Sequence, residues 1–460
     1  MLFNSHLFLL CFLPAALACY ALAGAAPRAR ILVLLLLSLV FYGWWEPRFL
    51  PLLLGSILVN WLAARLYTAT GRRSVITAAI VLDLFVLGLF KYNGFFADNL
   101  AALTGSAARP LGFALPLGIS FFTFHHIMYL ADLRRGRAAP TTLDRYALYI
   151  CFFPQAIAGP LARWSEVGAQ FGRRLSHPGW ERRVALATVF FTLGLVEKVM
   201  LGDPIGRLLD PIYAEARSGR LTDGSAWLAL GFVFQIFFDF AGYSNMAMGL
   251  GLLFGIQLPV NFDCPFRSRS ILEFWQRWHM TLGRFLRDYV FLRLADLRIA
   301  GRRHTTPQYV AAMLTTMALC GLWHGAGWTF ILWGTLQGTA MVIALAWRRR
   351  FGLVPGVVGW ALTLAFAMLT AVLFRAGSLG TAWNVLASLG TLPSLALLSQ
   401  SWMIGAALLM AVAVPPGHVL CPRLLQLPAP AAPFALGVIG LAILIQLGGL
   451  ESYDFIYFNF

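Results

Sequence analysis

Three observations predict an all-α, polytopic membrane fold. Of the 460 residues, 59% are hydrophobic and only 12% are charged, with a mean hydropathy of +0.74, well above the apolar share of ordinary soluble domains. The apolar residues form long runs and largely lack the period-2 alternation of an outer-membrane barrel. No hydrophilic stretch is long enough to fold separately, so 1–460 is read as a single membrane-embedded domain.

Apolar runs near 7–24, 31–45, 49–66, 75–90, 113–131, 184–201, 226–256, 309–347, 356–374, 401–414 and 433–449 read as helices. They suggest about ten to twelve crossings, several shorter than the ~20 residues of a perpendicular span. The first run, "LFLLCFLPAALACYALAGAA", imitates a secretory signal with "ALA" at 21–23, but Arg28 and Arg30 follow the run and no basic residue precedes it. A retained first helix with its N-terminus outside is therefore expected.

The net charge of +16 does not point to nucleic acid, because the basic residues sit in short loops and no soluble domain is available to hold a duplex. With the N-terminus outside, "PRAR" (27–30), "RRS" (72–74), "DLRRGR" (132–137), 163–183, 267–303 and "WRRRF" (347–351) share one side and carry most of the Lys and Arg. The positive-inside tendency makes that side cytoplasmic in a multi-pass membrane protein. The mixed-charge segment 202–224 should face outward. Six scattered cysteines without a C-x-x-C pair support neither a disulfide framework nor a metal site.

Three segments break the simple pattern. In "ICFFPQAIAGPLARWSE" (150–166), Pro154 and Pro160 interrupt helical geometry inside an apolar region, which suggests a re-entrant hairpin lining a cavity. "FQIFFDFAGYSNMAMGLGLLFG" (234–255) buries Asp239, Tyr243, Ser244 and Asn245 in an apolar run, so these should face the bundle interior. Placed on one helix, 271–298 collects Phe274, Trp275, Trp278, Leu282, Phe285 and Leu286 on one flank, with Arg277, Arg284 and Arg287 largely elsewhere. That helix is either a plain amphipathic surface element, at home among lipid head groups, or part of a cytoplasmic entrance for an anionic substrate.

His324 stands in "CGLWHGAGWTFILWG" (320–334) with no ionisable neighbour for many residues. An imidazole in such a run is either a satisfied structural contact or a piece of chemistry. It lies between arms 309–322 and 326–346, the first too short for a full crossing, which puts the histidine at membrane depth.

Five stretches in order, "LPLGISFFTF" (115–124), "FFPQAIAGP" (152–160), "FDFAGYSNMAMGLG" (238–251), "NFDCPFRSRSILEFWQRWHMTL" (261–282) and "GLWHGAGWTFILWG" (321–334), resemble the membrane-bound O-acyltransferase family, as do the opening "LFNSHLFLLCFLP" and the closing "FIYFNF". The branch it resembles is the bacterial one that acylates alginate or teichoic acid. The resemblance implies a central funnel or tunnel with the family's essential histidine at His324 and its second characteristic histidine at His279. His324 would then act as general base on an acceptor hydroxyl. His279 would orient His324, bind the acyl donor or move a proton. Asp239 either packs or holds a histidine or a cationic side chain.

Two funnels are expected to meet near His324. The inner one would be roofed by Trp275, Trp278 and His279, with an aromatic constriction including Trp323 or Trp328; Asp239 and Asn245 complete the tunnel residues. Within the resemblance, Asn245 stands where an acidic residue is usual, His125 and His126 where glutamines are usual, and Gln276 where a second arginine is common. The last two histidines are assigned to packing or cavity lining.

The resemblance further implies an acetyl group taken from acetyl-CoA as substrate, with no resident cofactor, and passed outward to an exported polysaccharide of the alginate or cellulose type. The arginines of 267–303 suit coenzyme A phosphates. A periplasmic serine-esterase-like acetyltransferase and the polysaccharide synthesis and export machinery are the implied partners. D-alanyl or other acyl transfer to an envelope polymer is the second reading within this class, and a secondary transporter, with similar broken helices, is the reading from another class.

Overall fold

The computed structural model describes residues 1–24, 26–105, 112–173, 179–295, 307–426, 440 and 455–456, and its regular elements there are helical. Among the described residues, seven helices are long and apolar enough to cross a membrane: Pro27–Trp45, Pro47–Thr70, Arg73–Lys91, Trp180–Ser218, Ala226–Leu253, Trp328–Phe351 and Gly356–Ala376. The bent pair Trp402–Ala413 and Gly417–Leu424 makes an eighth if it is one span. Other apolar runs form shorter helices, Phe8–Leu22, Ile119–Arg134 and Pro307–His324. The run at 433–449 lies outside the described residues except at 440. This is a multi-pass membrane protein.

The chain forms two compact units, each assembled from separated stretches of sequence. The first comprises Met1–Leu195, Tyr243–Val260 and Cys421–Asp454; the second comprises Val196–Gly242, Asn261–Leu420 and Phe455–Phe460.

In the first unit, an aromatic core forms around Phe3, which stacks on Tyr243 at 4.8 Å and meets Phe41 at 5.6 Å, while Phe153 meets Phe12 and Phe254 edge-on. The proline-broken segment runs through this core as short helices, Leu143–Cys151, Phe153–Ala156 and Trp164–Val167, and every residue from 151 to 162 is buried. Pro154 sits in the first turn of its helix, where a missing N–H leaves nothing unsatisfied. Non-helical backbone is tolerated there because protein groups satisfy it. Gln155 Nε2 donates to Tyr149 O at 2.7 Å, the Tyr149 hydroxyl to Ala162 O at 3.1 Å, and the Phe153 N–H to Ser38 Oγ at 3.2 Å.

His125 and His126 belong to this packing. His125 Nδ1 lies 2.9 Å from Phe121 O, and His126 joins the Tyr146 hydroxyl at 2.6 Å and Ser56 Oγ at 3.2 Å. The outer helices of this unit, Pro47–Thr70 and Arg73–Lys91, are only 22% buried along their apolar windows, against 94% for Ala226–Leu253. They present broad apolar faces suited to lipid.

In the second unit, a helical hairpin places Pro307–His324 against Trp328–Phe351. Small residues allow the close approach: a Cβ on Gly321 would fall 2.0 Å from Phe330 O, and one on Gly334 2.1 Å from Met317 O. Gly356–Ala376 packs beside the hairpin. Its C-terminal Arg375 ion-pairs with Asp210 of Asp203–Ser218 at 2.5 Å.

The segment 271–298 is not one amphipathic helix. Ile271–Arg277 and Met280–Phe285 are separate helices, followed by a π-helical turn at Leu286–Phe291; 296–306 lie outside the described residues. Ser270 starts the first helix by accepting the Glu273 N–H, while Glu273 accepts the Arg269 N–H. The break comes at Trp278–His279, where Trp278 is extended and His279 adopts φ +41°. The preceding stretch 261–263 takes the hydrogen bonds that helix continuation would need: Met280 N–H donates to Asn261 O at 2.8 Å and Asp263 N–H to Arg277 O at 3.0 Å. Local periodicity is thus overridden by a tertiary contact, and Phe274, Trp275 and Trp278 point into the protein and are buried.

Candidate active site

His324 is the last residue of Pro307–His324, immediately before the Gly325–Gly327 turn. The turn is glycine-bound for space: a Cβ on Gly325 would strike the Phe330 ring at 2.2 Å. His324 is 3% exposed and boxed by aromatic rings, with Trp323 at 4.7 Å, Phe374 at 5.0 Å and Trp333 at 5.3 Å. Its ring forms part of the wall of a cavity of about 40 Å³, together with Phe232, Trp278, Trp333, Gln337 and Phe374.

His279 reaches the same cluster from the broken segment. It is fully buried, 6.4 Å from Trp323 and edge-on to Phe240 at 4.6 Å. Trp323 therefore touches both histidines. A left-handed backbone is uncommon for a non-glycine residue. Asn261 supports it by accepting the Met280 N–H on its carbonyl and the Thr281 hydroxyl, at 2.6 Å, on its side chain. Neither His279 ring nitrogen has a hydrogen-bond partner on another described residue. Burial pushes its imidazole pKa down to about 3, so the ring is neutral near pH 7.

Trp275 and Trp278 stand on the cluster's other flank. Trp275 Nε1 donates to Gln337 Oε1 at 3.2 Å, and Gln337 Nε2 donates to Thr370 Oγ1 at 2.9 Å, so the one amide in the cavity wall is held at both ends. Trp278 stacks on Phe274 at 5.4 Å and lines the cavity beside His324.

One expected tunnel residue falls elsewhere. Trp328, on the first turn of Trp328–Phe351, is 57% exposed. The turn at 325–327 carries it to the surface, and only Trp323 of the two expected constriction residues packs on the histidine. Asn245 is a buried residue of the first unit. Asp239 holds a cation, not a histidine: its carboxylate meets Lys198 Nζ at 2.5 Å, and Lys198 also meets Asp203 at 2.7 Å.

Among the arginines offered to an anionic donor, Arg267 already donates to the carbonyls of Val412, Ala413 and Val414, and Arg277 pairs with Glu273 at 2.8 Å. Arg298, Arg302 and Arg303 lie outside the described residues.

Sequence reasoning overlooked Phe240, Asn261, Trp333, Gln337 and Phe374. Gln337 carried a usable signal as a lone amide in an apolar helix, and Asn261 as an amide shortly before the Cys264–Pro265 turn. The phenylalanines carried none, because Phe is abundant throughout the chain.

The aromatic cage with two buried imidazoles is suited to proton transfer in a site shielded from water. Comparison with known proteins identifies the family. The profile of the membrane-bound O-acyltransferase family matches residues 113–374. A probable alginate O-acetylase of Azotobacter vinelandii is 38% identical over 403 residues, covering 85% of this chain and 78% of its own. A peptidoglycan O-acetyltransferase of Helicobacter pylori is 36% identical over 423 residues, covering 84% and 79%. A teichoic acid D-alanyltransferase of Streptococcus thermophilus is 34% identical over 241 residues, covering 51% and 58%. The chain is an acyltransferase and belongs to the membrane-bound O-acyltransferase family.

Proposed function

We propose that this enzyme takes an acetyl group from cytoplasmic acetyl-CoA and passes it across the bacterial inner membrane for O-acetylation of an exported polysaccharide, completed by a periplasmic partner. The observation that carries this reading is the small cavity on which His324 opens. At the ~10–15 Å³ a water-sized group needs, its volume of about 40 Å³ suits the three heavy atoms of an acetyl group. Its described lining holds no acidic side chain. A D-alanyl group would bring an ammonium into it without a counter-charge, at a high desolvation cost.

In the proposed reaction the acceptor oxygen attacks the acyl carbonyl while His324 takes the hydroxyl proton. The thioester C–S bond breaks, and the departing thiolate takes up a proton to give free coenzyme A. His279, neutral and across Trp323, orients the donor or passes the proton onward. The aromatic walls limit hydrolysis by excluding water.

The test is polymer acetylation by His324→Ala at equal membrane abundance. A general base contributes about 10²–10⁴-fold, so acetylation should fall to background. Near-wild-type acetylation would overturn the assignment. Release of coenzyme A from acetyl-CoA in proteoliposomes separates this reading from D-alanyl transfer, which the Streptococcus relative keeps in view.

A further inference from the structure

Behind the wall of His279 lies a charged cluster to which the catalytic reading assigns no task. Lys198, Asp203 and Asp239 are each nearly fully buried, and one ammonium serves two carboxylates. Lys198 comes from a π-helical turn, Val196–Gly202, a form that often marks functional positions. Gly202 lets that turn close on Ala226–Leu253, the helix that carries Asp239, where a Cβ would already lie 3.0 Å from Asp239 N. The second oxygen of Asp239 accepts the backbone N–H of Ile456 at 2.8 Å. The neighbouring Phe455 packs on Phe240 at 5.9 Å, and Phe240 stands on His279.

We propose that Lys198, Asp203 and Asp239 form a buried clamp that holds the backbone at 455–456 against the helix that carries Asp239, which makes Asp239 and Lys198 positioning residues for the aromatic wall of His279. Lys198 bridges the Asp203 and Asp239 carboxylates, which fixes the side chain whose second oxygen accepts the Ile456 N–H. The clamp thereby fixes Phe455, then Phe240, then the imidazole. Its effect on turnover rests on the proposed role of the histidines, but the clamp itself does not.

Hydrogen exchange on the full-length protein in detergent tests the clamp without any assay of activity. The Ile456 amide should be protected in the wild type and in Asp239→Asn, which keeps an acceptor oxygen, and should exchange about 100-fold faster in Asp239→Leu. Equal exchange in all three overturns the clamp. For turnover, Ile456→Pro removes the N–H and fixes φ, while Ile456→Ala keeps the N–H and trims the side chain. The proline variant should lose about tenfold in kcat with the donor KM unchanged, the alanine variant little, since small displacements of reacting groups are costly. Equal activity of the two, or a loss confined to KM, overturns the positioning role. Intact clamp protection with full activity in His324→Ala would instead fault the catalytic reading alone.

Discussion

Gly321 and Gly334 face each other across the hairpin that carries His324, so near that a Cβ on Gly334 would lie 3.0 Å from Gly321 N and one on Gly321 3.2 Å from Gly334 Cα. The contact is backbone to backbone, and no side-chain rotation relieves an added methyl. Gly334→Ala should therefore destabilise the protein by about 1–3 kcal/mol, the usual range for overpacking. It should also reduce acetyl transfer by shifting the end of the histidine helix. Thermal unfolding in detergent reads the first effect; an unchanged melting temperature would contradict the close packing.

His279 offers a way to separate backbone from ring. Its φ of +41° is cheap for glycine and costly for a β-branched residue. His279→Gly should yield a folded protein with little activity, whereas His279→Val should lose folded yield as well. Size-exclusion yield beside polymer acetylation distinguishes them. Normal yield for valine would show that the left-handed turn does not matter.

Trp278 lines the cavity on which His324 opens. Trp278→Ala should raise the KM for acetyl-CoA several-fold while leaving that for the acceptor little changed, because it removes contact on the proposed donor side. A loss confined to the acceptor would place the donor elsewhere.

Gln337 is held between Trp275 and Thr370. Gln337→Leu leaves the buried Trp275 N–H without its acceptor, at a cost of about 1–3 kcal/mol. The melting temperature should fall clearly, and the double variant Trp275→Phe/Gln337→Leu should recover much of the loss. A double variant no more stable than Gln337→Leu would show that the hydrogen bond is not the source.

Topology is open to direct labelling. A cysteine at Ser218, at the exposed end of Asp203–Ser218, should react with an impermeant reagent from outside; one at Arg349, near the end of Trp328–Phe351, should react only after permeabilisation. Outside labelling of both would overturn the cytoplasmic donor route.

The sequence by itself determined the helical membrane class, the two arms of the 307–351 hairpin with His324 between them, and the motif order shared with the family. These are read from composition, run length and ordered short motifs, all local along the chain. Only the tertiary structure decided that 271–298 breaks at His279, because hydrogen bonds to Asn261 and Asp263 outcompete helical continuation. Likewise, Asp239 carries no sign in its apolar run of whether it meets a histidine or a cation; the close approach at Gly202 brings Lys198 to it. Trp323 and Trp328 look alike in sequence, five residues apart around a glycine turn, yet one packs on His324 and the other is exposed. Direction across a turn depends on backbone dihedrals and long-range packing, which residue type does not encode.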